Sequence, residues 1–253
     1  MGRIIALANQ KGGVGKTTTT INLGAGLAEV GRKVLLVDFD PQGALSVGLG
    51  KNPMELDTTI YNLIMGDKGA SIDSVLIEIS DGLSLLPSNI DLAAAEVLLV
   101  GEVAREQALQ RVLEPLKRKF DYILIDCPPS LGLLTVNALT AADSVIIPVQ
   151  CEYFAMRGMS LLLDTIQKVK GRLNPKLKVE GILATMYDRR TLHGQEVLAR
   201  VEEAFGKKVY NTVVNRTIRF AEAPVVGQPI LNYASNSRGA EAYRSLVKEV
   251  TSK

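Results

Sequence analysis

The stretch Ile4-Ile5-Ala6-Leu7-Ala8-Asn9-Gln10-Lys11-Gly12-Gly13-Val14-Gly15-Lys16-Thr17-Thr18-Thr19-Thr20-Ile21-Asn22-Leu23 decides how the chain is read. An apolar run of strand type enters a loop with three glycines, and a helical pattern follows at once. Glycine lets the backbone curl so that successive N–H groups point at one acceptor. The helix N-terminus adds its partial positive charge, and together they make a cradle for phosphate oxygens. In such a loop Lys16 reaches the β- and γ-phosphates of a nucleotide, and the Thr17 hydroxyl takes a place on magnesium. The strict pattern of glycine, four residues and Gly-Lys-Thr is not met. Gln10 stands where its first glycine belongs, and Lys11 adds a second lysine.

Outward from this loop, short β-branched runs alternate with longer segments of helical period, as parallel strands joined by crossover helices do. The pattern predicts strands over Ile4 to Ala8, Lys33 to Val37, Leu83 to Leu86, Tyr122 to Ile125, Ser144 to Val149 and Val179 to Met186. Most are apolar throughout, as strands covered on both faces are. Helices are predicted over Lys16 to Val30, capped by Gly31, and over Leu92 to Lys119, Leu133 to Ala141, Met156 to Leu173, Gly194 to Phe205 and Gly239 to Val250. The fold class expected is α/β: a doubly wound, mostly parallel sheet with helices on both faces. No repeat, low-complexity tract or linker interrupts the chain, so residues 1–253 read as one domain. Gly43 to Ser80 is the least regular stretch and is expected to hold short helices and loops beside the nucleotide.

A net charge of +2 with 22% charged residues excludes a protein that is basic throughout, so any nucleic-acid contact must come from a local patch. Two cysteines, Cys127 and Cys151, sit in apolar runs and point to buried thiols in a reducing compartment, the cytoplasm. The sequence opens directly on a strand, without a charged leader, and no window reaches the length of a membrane span. The one histidine, His193, reads as a loop residue.

Carboxylates at the C-terminal ends of parallel strands sit where such sheets bind ligands. The second strand ends in Asp38-Phe39-Asp40-Pro41-Gln42-Gly43, and a carboxylate near the γ-phosphate can orient the attacking water or serve the metal. Alone, Asp-Pro-Gln-Gly reads equally as a surface turn. Tyr122-Ile123-Leu124-Ile125-Asp126 is an apolar strand closed by one aspartate, the form that holds magnesium through a bound water. A helix cap is its other reading. Arg189, Arg190, Lys207, Lys208, Arg216, Arg219 and Arg238 recur in the C-terminal half. They form either a stripe for phosphate backbones, read without sequence preference, or an ordinary solvated face.

The loop Lys11-Gly12-Gly13-Val14-Gly15-Lys16-Thr17 is the deviant phosphate loop of the ParA/MinD family, which this chain resembles over essentially its full length. Further likeness lies in Cys151-Glu152-Tyr153-Phe154-Ala155 and in Ser237-Arg238-Gly239-Ala240-Glu241-Ala242-Tyr243. The resemblance implies a slow ATP hydrolase that uses ATP and Mg2+, with Lys11, Gly12, Gly13, Val14, Gly15, Lys16, Thr17 and Thr18 around the nucleotide. It implies that Lys11 reaches across a face-to-face homodimer to the partner's ATP, and that Lys16 and Asp40 serve catalysis, Asp40 by activating water. Asp38 supports the metal that Thr17 and Asp126 hold. The stretch Asn215-Arg216-Thr217-Ile218-Arg219-Phe220-Ala221-Glu222-Ala223-Pro224 is similar to the family's adenine segment, with Asn215 where proline is usual. Asn215 and Thr217 offer polar contacts to the base. Preference for ATP over GTP rests on the resemblance, as does binding of non-specific double-stranded DNA by Arg190 and Arg219, with Arg189 and Arg216 beside them.

The function so implied is chromosome or plasmid segregation on the nucleoid, with hydrolysis stimulated by a ParB/Spo0J-like partner. Leu133 to Ala141 and Leu92 to Arg105 are the candidate partner-facing segments. The alternative is a MinD-like or cargo-positioning ATPase that does not use DNA, but the tail Tyr243 to Lys253 has too little apolar face for membrane binding. A carboxylate-activating ligase of the biotin-synthesis or cobyrinate type would need a substrate pocket for which no dedicated residues stand out. Cys127 invites comparison with iron–sulfur relatives of this fold, yet no cysteine cluster accompanies it.

Overall fold

Eight strands hydrogen-bond into one sheet in the order β3-β4-β2-β5-β1-β6-β7-β8. They are β1 (Arg3–Leu7), β2 (Val34–Asp38), β3 (Ile77–Ser80), β4 (Leu83–Leu86), β5 (Tyr122–Asp126), β6 (Ser144–Gln150), β7 (Lys178–Tyr187) and β8 (Val209–Asn215). Every neighbouring pair is parallel except β3 with β4. The structure is a computed structural model that describes residues 1–152 and 155–252. Of the stretch Cys151 to Ala155, Tyr153 and Phe154 lie outside the described residues.

The helices are α1 (Lys16–Glu29), α2 (Ala44–Gly48), α3 (Ile60–Met65), α4 (Ile72–Val75), α5 (Leu92–Leu98), α6 (Ala108–Leu113), α7 (Leu133–Ala141), α8 (Ala155–Arg172), α9 (Leu192–Phe205), α10 (Arg219–Glu222), α11 (Ile230–Tyr233) and α12 (Arg238–Thr251). Because successive strand residues face opposite sides, the apolar runs feed two cores. Ile4, Leu35, Ile123 and Val145 pack with residues of α3 and of α5 through α9. Ile5, Leu36, Leu124 and Ile146 pack with α1, α11 and α12. On that second side α1 lies so close to β2 that a Cβ on Gly24 would stand 2.5 Å from Leu36 Cδ2. Helix α12 buries Tyr243, Leu246, Val247 and Val250 there, at about 1.5–3 kcal/mol for each large apolar side chain, so its apolar face is used inside the molecule.

The doubly wound, mostly parallel sheet expected from the sequence is what the chain forms, and Gly31 ends α1 in the left-handed region at φ 79°. Two strands escape the apolar-run signal. Edge strand β8 alternates buried Tyr210, Thr212 and Val214 with exposed Asn211 and Asn215, and β3 is a short edge strand half open to solvent. The single helix expected over Leu92 to Lys119 is broken. After α5 come a 3-10 turn at Leu99–Gly101, Ala104 at φ 55°, another 3-10 turn at Arg105–Gln107, α6, and a final 3-10 segment at Glu114–Arg118 containing Pro115. Gly101 and Pro115 are the interruptions, since proline removes a donor and crowds the preceding turn. His193 lies in the first turn of α9 rather than in a loop, because Thr191 accepts from Gly194 N and starts the helix there.

Register aligns Leu7 of β1 and Asp38 of β2 with Asp126 of β5. Three loops therefore leave the same edge of the sheet side by side.

Candidate nucleotide and nucleic-acid site

The loop after β1 turns through Gly13 at φ 72° and Gly15 at φ 85°, conformations that strain any residue with a Cβ. Gly15 opens α1 without a side-chain cap, which leaves the first N–H groups of the helix directed at the loop's interior. Thr185 of β7 donates to Val14 O at 2.8 Å and pins the loop from the neighbouring side. Lys16 is 6% exposed, with Nζ 3.3 Å from Lys11 O. Burial lowers its pKa, against the attraction of Asp126. A buried ammonium among backbone N–H groups is a cradle for a polyanion.

Asp126 is fully buried and accepts from Thr17 Oγ1 at 2.6 Å. Burial, with the neighbouring Asp38 charge, pushes its carboxyl up to about 8. Burial likewise raises Asp38, to about 6, although Ser46 donates to it from both N at 2.8 Å and Oγ at 2.7 Å. Asp38 thereby ties α2 to the end of β2. Asp40-Pro41-Gln42-Gly43 is a turn, with Gln42 N on Asp40 Oδ1 at 3.0 Å and Gly43 N on Asp40 O at 2.9 Å. The turn reading holds, and the turn leaves the same end of the sheet as the phosphate loop. A hydroxyl and a carboxylate are hard oxygen donors of the kind magnesium takes beside phosphate oxygens. No cluster of three or more ligating His, Cys, Asp or Glu side chains occurs among the described residues, so phosphate oxygens would have to complete the shell. The residues present fit a triphosphate with one magnesium ion.

Lys11 turns away from its own loop. Its Nζ donates to Glu152 Oε2 at 2.6 Å and Gln150 Oε1 at 3.1 Å, past the end of β6, while Asn9 Oδ1 accepts from its backbone N at 3.0 Å.

Beside the loop lies a pocket of about 250 Å³ lined by Thr18, Met186, Asn215, Thr217, Phe220 and Tyr243, among others. Asn215 and Thr217 thus meet Thr18 as the sequence suggests. Sequence reasoning missed Met186, Phe220 and Tyr243. Met186 sits at φ 50°, and the rings of Phe220 and Tyr243 meet edge to face at 5.8 Å. The Tyr243 hydroxyl lies 3.2 Å from Thr19 Oγ1. The period of α12 identifies Tyr243 as inward-facing, but nothing in the sequence marks the strained backbone at Met186.

Adjoining it is an open cleft of about 610 Å³ lined by Arg189, Arg190, Arg216, Arg219 and Arg238. All four arginines singled out for DNA are brought together. Arg190 holds Asp188 through two hydrogen bonds at 2.9 and 2.8 Å, which pull that carboxyl down to about 2. Arg219 pairs with Glu222 at 2.9 Å. Lys207 and Lys208 precede β8, whereas Arg216 follows it, so the two lysines lie at the opposite edge of the sheet and outside any such stripe.

Residues 2–179 match the family described as AAA domain. The chain is 52% identical over 250 residues to the sporulation initiation inhibitor protein Soj of Bacillus subtilis, covering 99% of this chain and 98% of that protein. It is 46% identical over 253 residues to the chromosome partitioning protein ParA of Caulobacter vibrioides, covering 99% and 94%. The chain belongs to the ParA/Soj family of partitioning ATPases. An uncharacterized protein of Mycobacterium tuberculosis shares 58% identity over 98% of this chain and 78% of its own length. Among solved structures, cobyrinic acid a,c-diamide synthase from Mycobacterium smegmatis with bound ATP analog and magnesium superposes with a TM-score of 0.88. It is 43% identical, over 99% of this chain and 95% of that one. Within the ParA/Soj family the loop that carries Lys11 is the most legible feature of this chain. The arginine cleft is the least, because Arg189 and Arg216 are brought together only by the pairing of β7 with β8.

Proposed function

We propose that this family member is a single-domain, ATP-switched partition ATPase, acting in the cytoplasm on the nucleoid. One observation carries the reading. The base pocket and the arginine cleft share Asn215, Arg216 and Thr217, so a nucleotide in the first borders directly on the charges of the second. In this reading Gly12, Gly13, Val14, Gly15, Lys16, Thr17 and Thr18 hold ATP. Asn215 and Thr217 contact its base. Thr17, with Asp126 and Asp38 behind it, holds magnesium, which when bound neutralises charge developing on the phosphates. Asp40 orients the attacking water. Lys11 exchanges its Glu152 contact for the partner protomer's ATP, making the dimer depend on nucleotide. Arg189, Arg190, Arg216 and Arg219 then grip phosphates of double-stranded DNA without reading sequence. A ParB-like protein accelerates hydrolysis and releases the dimer. The apolar face of α12 is covered inside the molecule, which supports DNA over lipid as the surface.

The name of the Mycobacterium smegmatis structure suggests amide synthesis instead. Nitrogen transfer from an amide donor through a thiol needs an accessible thiolate. Burial pushes the Cys127 thiol up and the Cys151 thiol to about 11, so neither is poised for it.

The test is DNA binding with and without ATP, with association followed by light scattering. Wild type is expected to dimerise and bind DNA only with ATP. Lys11→Ala should bind ATP and stay monomeric, Asp40→Ala should stay trapped on DNA, and Arg219→Ala should dimerise with DNA affinity lowered about tenfold. ATP-driven dimerisation without DNA binding at low salt would overturn the nucleoid role and favour a cargo-positioning ATPase that does not use DNA.

A further inference from the structure

The five arginines of the cleft are not held alike. Arg190 closes a fork on Asp188, with Nε on Oδ1 at 2.9 Å and Nη2 on Oδ2 at 2.8 Å. Arg219 Nη1 donates to Glu222 Oε2 at 2.9 Å. Arg189, Arg216 and Arg238 form no ion pair among the described residues. The two arginines that the family resemblance puts first for DNA are therefore the two that already hold a carboxylate.

A carboxylate offers a guanidinium the same pair of oxygens as a phosphate, and one fork takes one anion at a time. DNA must displace Asp188 and Glu222, and the displaced charges then stand beside its own. Exposed ion pairs are weak, so a polyanion can win this exchange, but with less affinity than open arginines would give.

Both acids are kept in place by the fold. Asp188 Oδ1 also accepts from Arg190 N at 3.0 Å, and Asp188 O accepts from Thr191 N at 3.1 Å and Thr191 Oγ1 at 2.9 Å, in the turn that opens α9. Glu222 Oε2 accepts from the Tyr233 hydroxyl of α11 at 3.1 Å. Part of the entropy cost of ordering each pair is thus met by contacts that exist without DNA. One cleft so occupied binds weakly, while two clefts joined in a dimer engage one duplex with compounded affinity.

We propose that Asp188 and Glu222 compete with DNA phosphates for Arg190 and Arg219, holding a single protomer below the affinity needed to stay on DNA, so that binding waits for the dimer. The inference rests on the partition reading above and names two residues that set its threshold.

The test uses the full chain and a labelled duplex of random sequence, read by anisotropy across a salt series, with light scattering for association. Asp188→Asn keeps the acceptor for Arg190 N, and Glu222→Gln keeps one for Tyr233, so the pair of substitutions removes charge and leaves shape. Without nucleotide, the double variant is expected to stay monomeric and bind DNA at least about tenfold more tightly than wild type, with a salt slope steeper by about two. Glu78→Gln with Glu114→Gln makes the same change of charge at exposed positions far from the cleft, on β3 and before β5, and should alter neither value. Asp188→Asn placed in an Arg190→Ala chain should gain less than about twofold, because the arginine it would free is gone. An equal gain with and without Arg190, or from the distant pair, overturns the proposal in favour of plain charge repulsion. So does wild-type binding with ATP that the double variant fails to exceed in any nucleotide state, and in that case the partition reading survives. DNA binding by the double variant beside a wild type that binds none even with ATP keeps the competition and sinks the nucleoid role. No binding by either protein overturns both.

Discussion

Asp126 carries the sharpest conflict at the scale of one residue. Its folded pKa of about 8 lies above the ordinary value of 3.8 because the carboxyl is buried beside Asp38. The folded state therefore holds that proton more tightly than the unfolded chain. The stability this contributes is complete at pH below about 4 and is lost as pH rises to about 8. Asp126→Asn removes the charge and keeps an acceptor for Thr17. Without nucleotide, the variant should melt several degrees above wild type at pH 8 and close to it at pH 4, at about 2–4 °C per kcal/mol for a chain of this size. Melting curves that separate equally at both pH values would count against the buried charge as the cause. The residue was legible because a lone acid after four apolar positions has few other uses. Met186 was not, since its left-handed backbone follows from how β7 ends against the pocket beside the phosphate loop and not from its side chain.

Elements far apart in sequence hold one another in working position. The phosphate loop follows β1, yet Thr185 on β7 holds it through the Val14 carbonyl. Thr185→Val keeps the shape and deletes the donor, at a cost of about 1 kcal/mol for a buried hydrogen bond with more if the carbonyl is left unpaired. The expected outcome is a drop of a few degrees in Tm together with weaker ATP binding, measured by calorimetry, in a protein whose overall fold is unchanged. Unaltered ATP affinity would mean that the glycines alone hold the loop. Helix α1 could be read nearly to the residue because the phosphate loop starts it at Lys16 and Gly31 ends it, and α7 because the run Leu133 to Ala141 is helix-forming and buried almost throughout. The Leu92 to Lys119 segment could not. Its apolar content is helical throughout, and only the joint action of Gly101, the hydrogen bonds that Arg105 donates to Val100 O and Arg111 to Ala104 O, and Pro115 breaks it into pieces.

Across the whole molecule, charge is placed rather than accumulated. A net charge of +2 gives little general attraction for DNA, while five arginines line one cleft at the C-terminal edge of β7 and β8. Composition concealed this, because the arginines come from three separate stretches that only the parallel pairing of β7 with β8 and the packing of α12 bring together. If the cleft grips phosphates, affinity must fall with salt in proportion to the contacts made. With about four phosphates engaged, raising salt from roughly 50 to 200 mM should weaken ATP-dependent DNA binding by about a hundredfold. Arg216→Ala should lower the slope of log affinity against log salt by about one per protomer. Arg118→Ala removes the same charge from the opposite edge, just before β5, and should leave the slope unchanged. A slope that responds equally to both substitutions would mean that diffuse net charge binds the DNA. One that responds to Arg216 alone ties the DNA surface to the segment that also borders the nucleotide, which is what an ATP-controlled grip requires.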